Sequence, residues 1–376
     1  MRSPTARSRP LSVCLVGLIA GGRSGIARYA AALTRALDPL CTEFPDLRLS
    51  LVTTRAGSEV VAARNIDVRD FGLVRARFNE GPPRIALEQL LAASQRVDLL
   101  HFFDLTGPLL APRRPFVATV HDVSIAPGLA RRRHAYKRLL WPWAVRHARA
   151  LVAVSEFARD ETADRFGVPE ARIEVIHSGP GLTEVPTDSV NGVPVPESPY
   201  FLYVGDLTVR KNVPFLVRAF DRANVDASLL LVGRPDDGYA EVSAELKRAS
   251  RADRVRVVEQ ASDRDVDSLY RSAIALVMPS LYEGFGFTPL EAMARGCPVL
   301  ASDIPAFREV SGAGALLVPL DDEARWADSL RLLAADEALR GELRERGSRT
   351  VARYSWQRAA RELCRLFLTV GGRTPA

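Results

Sequence analysis

Short apolar runs recur along the chain, separated by segments in which apolar residues return at helical spacing. LSVCLVGLIA, residues 11–20, leads into GGRSGIARYAAALTRAL, a glycine turn and then an alanine-rich helical pattern. The basic MRSPTARSRP before it imitates the start of a signal peptide, but no A-x-A-like site follows. The first strand, turn and helix of a nucleotide-binding fold is therefore the expectation. LRLSLVTT, VDLLHFFD, PFVATVHD, ALVAVSE and RIEVIHSG read as further buried strands. PGLTEVPTDSVNGVPVPESP, 180–199, carries five prolines and no helical period, so it reads as a linker. A second series follows: YFLYVGDL, SLLLVGR, RVRVVEQ, AIALVMPS, CPVLAS and ALLVPL.

This alternation predicts an α/β protein of two Rossmann-like, doubly wound domains. The boundaries expected are 1–180, a linker at 181–199, and 200–354. After these, SWQRAARELCRLFLTV sets Trp356, Ala359, Leu363, Leu366 and Phe367 on one helical face. Ligands of such sheets bind beyond the carboxyl ends of the strands, which places the expected site in a cleft between two facing domains.

Composition narrows the function classes. A chain of 376 residues with 47% hydrophobic and 26% charged residues is globular, and it has no apolar run near the ~20 residues of a membrane span. Its net charge of +6, from 51 basic and 45 acidic residues, is too small to imply a nucleic-acid partner. Cys14, Cys41, Cys297 and Cys364 lack C-x-x-C spacing, which argues against zinc and against a disulfide framework and fits a reducing cytoplasm.

Three loops at strand ends carry candidate chemistry. In Gly21-Gly22-Arg23-Ser24-Gly25, missing Cβ atoms would let backbone N–H groups approach a phosphate at a helix N-terminus, although an ordinary turn reads equally well. GDLTVRKN, 205–212, presents Arg210 and Lys211, suited to clamp a diphosphate or simply to face water. EGFGFTPLEAMARGCPVLAS, from 283, sets Glu283 and Glu291 around a Gly-Phe-Gly turn. His121 ends the strand PFVATVHD and is a candidate site residue or a satisfied structural group, with Asp122 as a loop-fixing acceptor. Asp265-Val266-Asp267 spells D-x-D, but its carboxylates suit a helix N-terminus better than a metal.

Taken together these segments resemble glycosyltransferase family 4, retaining enzymes of the GT-B fold. PSLYEGFGFTPLEAMARGCPVLASDIPAFREV resembles the family's hallmark segment, YVGDLTVRKNVPFLVRAF its first C-domain strand and basic loop, GGRSGIARYAAAL its N-terminal loop, TVHDVS its His-Asp loop and LVAVSEFARDE its last N-domain motif. RIALEQLLAASQRVDLLHF further resembles a subgroup rich in bacterial mannosyltransferases. VIHSGPG departs from the family's usual Asn-Gly-Val, so no contact is assigned to His177 or Ser178.

The resemblance implies transfer of a hexose, GDP-mannose being the leading donor, to a glycan or lipid-linked acceptor in polysaccharide, lipopolysaccharide or glycoconjugate synthesis. It implies Glu283 against the sugar hydroxyls, Glu291 at the start of a helix on the ribose, His121 beside the transferred sugar, and Arg210 and Lys211 on the diphosphate. Gly22, Gly25, Gly205, Gly284, Phe285, Gly286, Thr288 and Leu290 complete the expected donor site, chiefly through backbone N–H groups. No cofactor or metal is expected, the cations taking the place of Mg²⁺ at the leaving diphosphate. The final helix is expected to cross back onto the N-terminal domain. RRRHAYKRLLWPWAVRHARA, 131–150, with Tyr136, Trp141 and Trp143, is suited to rest on the inner face of an anionic membrane or to grip an acceptor; the alternative is a surface helix with buried tryptophans. The alternatives for the whole protein are a GT-B sugar-nucleotide epimerase or phosphorylase, or a non-catalytic sugar-nucleotide-binding partner.

Overall fold

A computed structural model of the chain describes residues 9–22, 24–71, 81–111, 113–123, 137–181 and 192–373. Arg23, Tyr136 with the basic residues beside it, and positions 182–191 of the expected linker lie outside the described residues. Two compact units result. One takes the chain up to Val123, the stretch ending at Gly179 and the segment from Ser355, while the other runs from Pro180 to Tyr354.

The first unit is a parallel sheet of β1 (Leu11–Val16), β2 (Leu47–Thr54), β3 (Asp67–Phe71), β4 (Leu99–Phe102), β5 (Phe116–Val120), β6 (Ala150–Ala153) and β7 (Ile173–Val175), in the order β3-β2-β1-β4-β5-β6-β7. The second contains β8 (Tyr200–Val204), β9 (Ser228–Val232), β10 (Val255–Val258), β11 (Ala275–Met278), β12 (Val299–Ser302) and β13 (Leu316–Val318), in the order β10-β9-β8-β11-β12-β13. Both orders reverse direction beside the first strand, at β1/β4 and at β8/β11, and these reversals are where doubly wound sheets open a crevice for ligands.

The central strands are largely apolar because helices cover both faces of a parallel sheet, with His101 and Thr119 paired to each other at 3.1 Å. Every residue of β4, β5, β8 and β11 is buried. The strand that the apolar pattern does not reveal is β3: among the described residues it pairs only with β2, at the sheet edge, and its DVRDF is rich in charge.

Helices lock to these sheets by specific contacts. Helix Gly25–Leu37 is capped by Ser24, whose Oγ accepts from the Ala27 N–H, and buries Ala27, Tyr29, Ala30 and Leu33. In the second unit, Phe215 of helix Val213–Ala223 meets the fully buried Trp326 edge-on at 5.5 Å. The C-terminal helix Trp356–Val370, capped by Ser355, belongs to the first unit: Trp356 packs on Tyr29 at 5.6 Å and Phe367 on His101 at 5.4 Å. Leu366 is only half-buried, whereas Ala360, Cys364 and Leu368 join the buried face. All four cysteines are free thiols.

Candidate functional site

In the second unit, residues distant in sequence converge because β8 and β11 are neighbours whose following loops leave from one edge of the sheet. Lys211, from the loop after β8, donates its Nζ to Glu283 Oε1 at 2.6 Å across a separation of 72 residues. Arg210 donates to Glu283 Oε2 at 2.6 Å and to the Tyr282 carbonyl at 2.7 Å. Ser280 donates to Glu283 Oε1 at 2.8 Å. Burial acts to raise the Glu283 carboxyl, but the two cations outweigh it and hold the group at about 2. The Lys211 ammonium is drawn below its ordinary value by burial, which the attraction of Glu283 only partly offsets. One carboxylate between two cations leaves the cluster with an excess positive charge.

The loop that carries these cations depends on glycines. Gly205 has φ 150°, and a Cβ at Gly233 would fall 1.9 Å from the Gly205 carbonyl oxygen. A side chain at Gly233 would therefore push the basic loop outward. Thr208, within that loop, buries a hydroxyl that has no partner among the described residues. It is the kind of polar atom a ligand completes.

Glu291 differs from the expectation that it opens a helix. The helix runs Phe287–Met293 and places Glu291 in its last turn, buried to 1% exposure, with Oε2 accepting from the Tyr270 hydroxyl at 3.2 Å. Gly181 lies against this carboxylate so closely that a Cβ there would sit 2.0 Å from Oε1. Phe285 and Leu290 turn their side chains into the core, Phe285 against Phe287 and Tyr354, so neither side chain is placed to meet a ligand. Thr288 is half-buried, Gly284 is buried, and Gly286, at φ 112°, is the left-handed residue before the helix. Asp265 and Asp267 are both engaged. Asp265 closes a capping box with Ser262, and Asp267 pairs with Arg271 and Arg295, each at 2.8 Å.

The first unit offers a second cluster. His121 follows β5, and its Nε2 lies 2.8 Å from the carbonyl oxygen of Phe103, which follows the neighbouring β4. A carbonyl only accepts, so Nε2 carries the proton and Nδ1 keeps its lone pair. Burial lowers the His121 pKa, opposed by that carbonyl and by Asp122 and Asp104, which keeps the ring an acceptor at neutral pH. The ring stands edge-on to Tyr29 at 4.6 Å. Gly22 ends a 3-10 turn and Gly25 begins the following helix; in the same loop Gly21 is the residue whose Cβ would strike backbone, 2.7 Å from Gly57 N. Ser178 is fully buried, with a hydroxyl lacking a partner among the described residues.

Helix Lys137–His147 turns its tryptophans inward. Trp141 is 6% exposed and Trp143 stacks on Phe116 at 5.7 Å. The expected aromatic contact with a membrane or an acceptor therefore does not come from Trp141, because Trp141 is buried in the helix packing.

Comparison with known proteins matches both halves of the chain. The model for "Glycosyltransferase Family 4" matches residues 23–183 and that for "Glycosyl transferases group 1" residues 186–350. The phosphatidyl-myo-inositol mannosyltransferase of Mycobacterium leprae is 30% identical over 296 residues, which cover 73% of this chain and 74% of that protein. The chain belongs to glycosyltransferase family 4. The O-antigen chain mannosyltransferase RfbU of Salmonella typhimurium is 32% identical over 201 residues, 52% of this chain and about half, 54%, of that relative. Among solved structures, sucrose-phosphate synthase from Thermosynechococcus elongatus superposes with a TM-score of 0.73 at 22% identity, over 96% of this chain and 99% of that one. The two parallel α/β sheets are thus those of the GT-B fold. For this family 4 chain, Gly233, Ser280, Tyr270 and Gly181 are additions that the sequence reading missed. The glycine ending LLLVG was a usable signal, whereas the other three become visible only as contacts.

Proposed function

We propose that the protein is a retaining glycosyltransferase that moves a hexose, mannose by preference, from a nucleoside-diphosphate sugar to an acceptor hydroxyl. The observation that carries this is the cluster of half-buried Arg210 and Lys211 on the buried Glu283. A pair of cations that a single carboxylate does not neutralise suits a diphosphate, and the carboxylate suits sugar hydroxyls. In this reading the second unit takes the nucleotide sugar and the first takes the acceptor. Glu291, oriented by Tyr270, holds the ribose, and Nδ1 of His121 accepts from a sugar hydroxyl. The preference for mannose is supported by the mannosyltransferase relatives.

The chemistry proposed is front-face displacement. The acceptor oxygen bonds to the anomeric carbon as the bond from that carbon to the diphosphate breaks. The acceptor's proton passes to a leaving phosphate oxygen, whose charge Arg210 and Lys211 stabilise without a metal. Among the described residues no helix is long and apolar enough to cross a membrane. Leu139, 78% exposed beside Lys137 and Arg138, supports a peripheral contact with an anionic surface and a lipid-linked acceptor, at work in the cytoplasm.

The test begins with thermal shifts against GDP, UDP, ADP and dTDP and their sugars, since a ligand at about 100 times its Kd adds about 2.7 kcal/mol. Transfer from the binding donor is then followed by NMR of the product's anomeric centre. The expected result is one preferred nucleotide, retention at that centre, and a Glu283→Gln variant that keeps nucleotide affinity but loses transfer. Conversion of the donor to an isomeric nucleotide sugar without any acceptor would replace this reading with an epimerase.

A further inference from the structure

The RIALEQ run in helix Gly81–Ser94 has no part in the function proposed above, yet it carries three buried polar side chains: Arg84 at 5%, Glu88 at 1% and Gln89 at 6% exposure. Each grips something definite. Arg84 Nη1 donates to both oxygens of Glu88, at 2.9 and 3.1 Å, while its Nη2 donates to Asp104 Oδ2. Thr106 donates to the other Asp104 oxygen at 2.8 Å. Gln89 donates to the Gly107 carbonyl at 2.7 Å and accepts from the Leu109 N–H at 2.5 Å. One helix face thus holds the loop after β4 at residues 104, 107 and 109.

The residue before this anchored loop is Phe103, whose carbonyl accepts from Nε2 of His121. We propose that Arg84 and Asp104 are positioning residues for His121: by fixing the turn that aims the Phe103 carbonyl, they hold the imidazole in the Nε2–H tautomer with Nδ1 available as an acceptor. The inference rests on reading His121 as a group that meets the sugar. A buried ion cluster is a poor anchor when only stability is needed, because apolar replacements of similar volume are often neutral or stabilising. What an ion cluster does supply is a directional, two-pronged grip. Asp104 also acts on the ring through space. The charged and titratable groups facing His121 are Asp104, Asp122 and His101, with the Tyr29 ring at its edge and Arg84 behind Asp104.

The test is the Asp104→Asn variant, which keeps the shape and an acceptor for Thr106 but turns an amide N–H₂ toward Arg84. Imidazole nitrogen NMR on protein labelled at its five histidines, with His121 assigned through His121→Gln, reads the tautomer directly. In the wild type, His121 is expected as the neutral Nε2–H form at pH 7. In Asp104→Asn and independently in Arg84→Lys, the Nδ1–H form should appear and the titration of His121 should move. Turnover is expected to fall about ten- to a hundredfold, the scale of a misplaced reacting group, with donor KM nearly unchanged. The loss should not add to that of His121→Gln in the double variant. Unchanged His121 signals and titration in both folded variants would overturn the proposal. Altered signals with full turnover in both variants would support the positioning and count instead against His121 in the transfer reaction.

Discussion

Two buried carboxylates, each held by an arginine, settle in opposite charge states in the two units. Glu283 is held at about 2, while burial pushes Glu88 up to about 8 against the pull of Arg84. Stoichiometry makes the difference. Glu283 stands alone between Arg210 and Lys211 and accepts from Ser280 as well, whereas Glu88 shares a single Arg84 with Asp104. Near neutral pH the first arrangement carries excess positive charge, and the second relieves its excess negative charge by keeping a proton on Glu88. The first therefore has positive charge to offer the proposed diphosphate, and the second has none to spare. Burial alone predicts neither outcome, because the sign depends on the count of partners.

The sharpest way to break this comparison is to remove the cations. In the Arg210→Ala, Lys211→Ala double variant, affinity for the preferred nucleoside diphosphate should fall by two decades or more, each charge-assisted contact being worth ~1.5–3 kcal/mol. The melting temperature should fall as well, since Glu283 is left buried and unpaired. Calorimetric titration showing wild-type affinity in the folded variant would remove both residues from the donor site.

The next test uses pH. Between the ordinary carboxyl value of 4.5 and about 8, folded Glu88 holds a proton that the unfolded chain has released, so its contribution to stability declines as pH rises through that window. Glu88→Gln should therefore gain melting temperature relative to wild type from pH 5 to pH 8. Glu283 behaves oppositely: its contribution is present above 4.5 and is lost as pH falls toward about 2, so the deficit of Glu283→Gln should shrink in acid. Parallel pH curves for each variant and the wild type would contradict the contrast.

The smallest effect concerns Tyr270, whose hydroxyl donates to Glu291. Tyr270→Phe removes a donor that orients Glu291 in the free and the bound protein alike, so only the lost orientation is read in binding, and ribonucleotide affinity should weaken about two- to tenfold. Binding of a 2′,3′-dideoxy nucleotide should be nearly unaffected. Equal losses for both would detach Glu291 from the ribose.

The sheets were largely legible in the residue pattern, because strands buried on both faces are mostly apolar and β-branched; LRLSLVTT is β2, residue for residue, even with Arg48 exposed within it. The edge strand β3 escaped for the same reason: with one neighbour and charged residues along it, DVRDF carries no such pattern. The final helix was legible from its spacing, Trp356 through Phe367, but its partner, Tyr29, was not. Arg210, Lys211, Glu283, Glu291 and His121 were found as residue types at strand ends. Their contacts were not, and the place of Glu291 in the last turn of its helix, behind Tyr270 and Gly181, differed from the sequence reading.

What the sequence determined by itself was therefore local: which segments are apolar on both sides, which loops have glycines and cations, and that these alternate as two α/β series. Tertiary structure decided which loops meet. Lys211 reaches Glu283 because β8 and β11 pair, and His121 reaches Phe103 because β4 and β5 pair. The charge of each buried carboxyl was decided at the same level. A pKa depends on the number and distance of opposite charges in a medium of low polarizability, and those are set by strand order across 72 residues of chain at Glu283 and by one helix lying against a loop at Glu88.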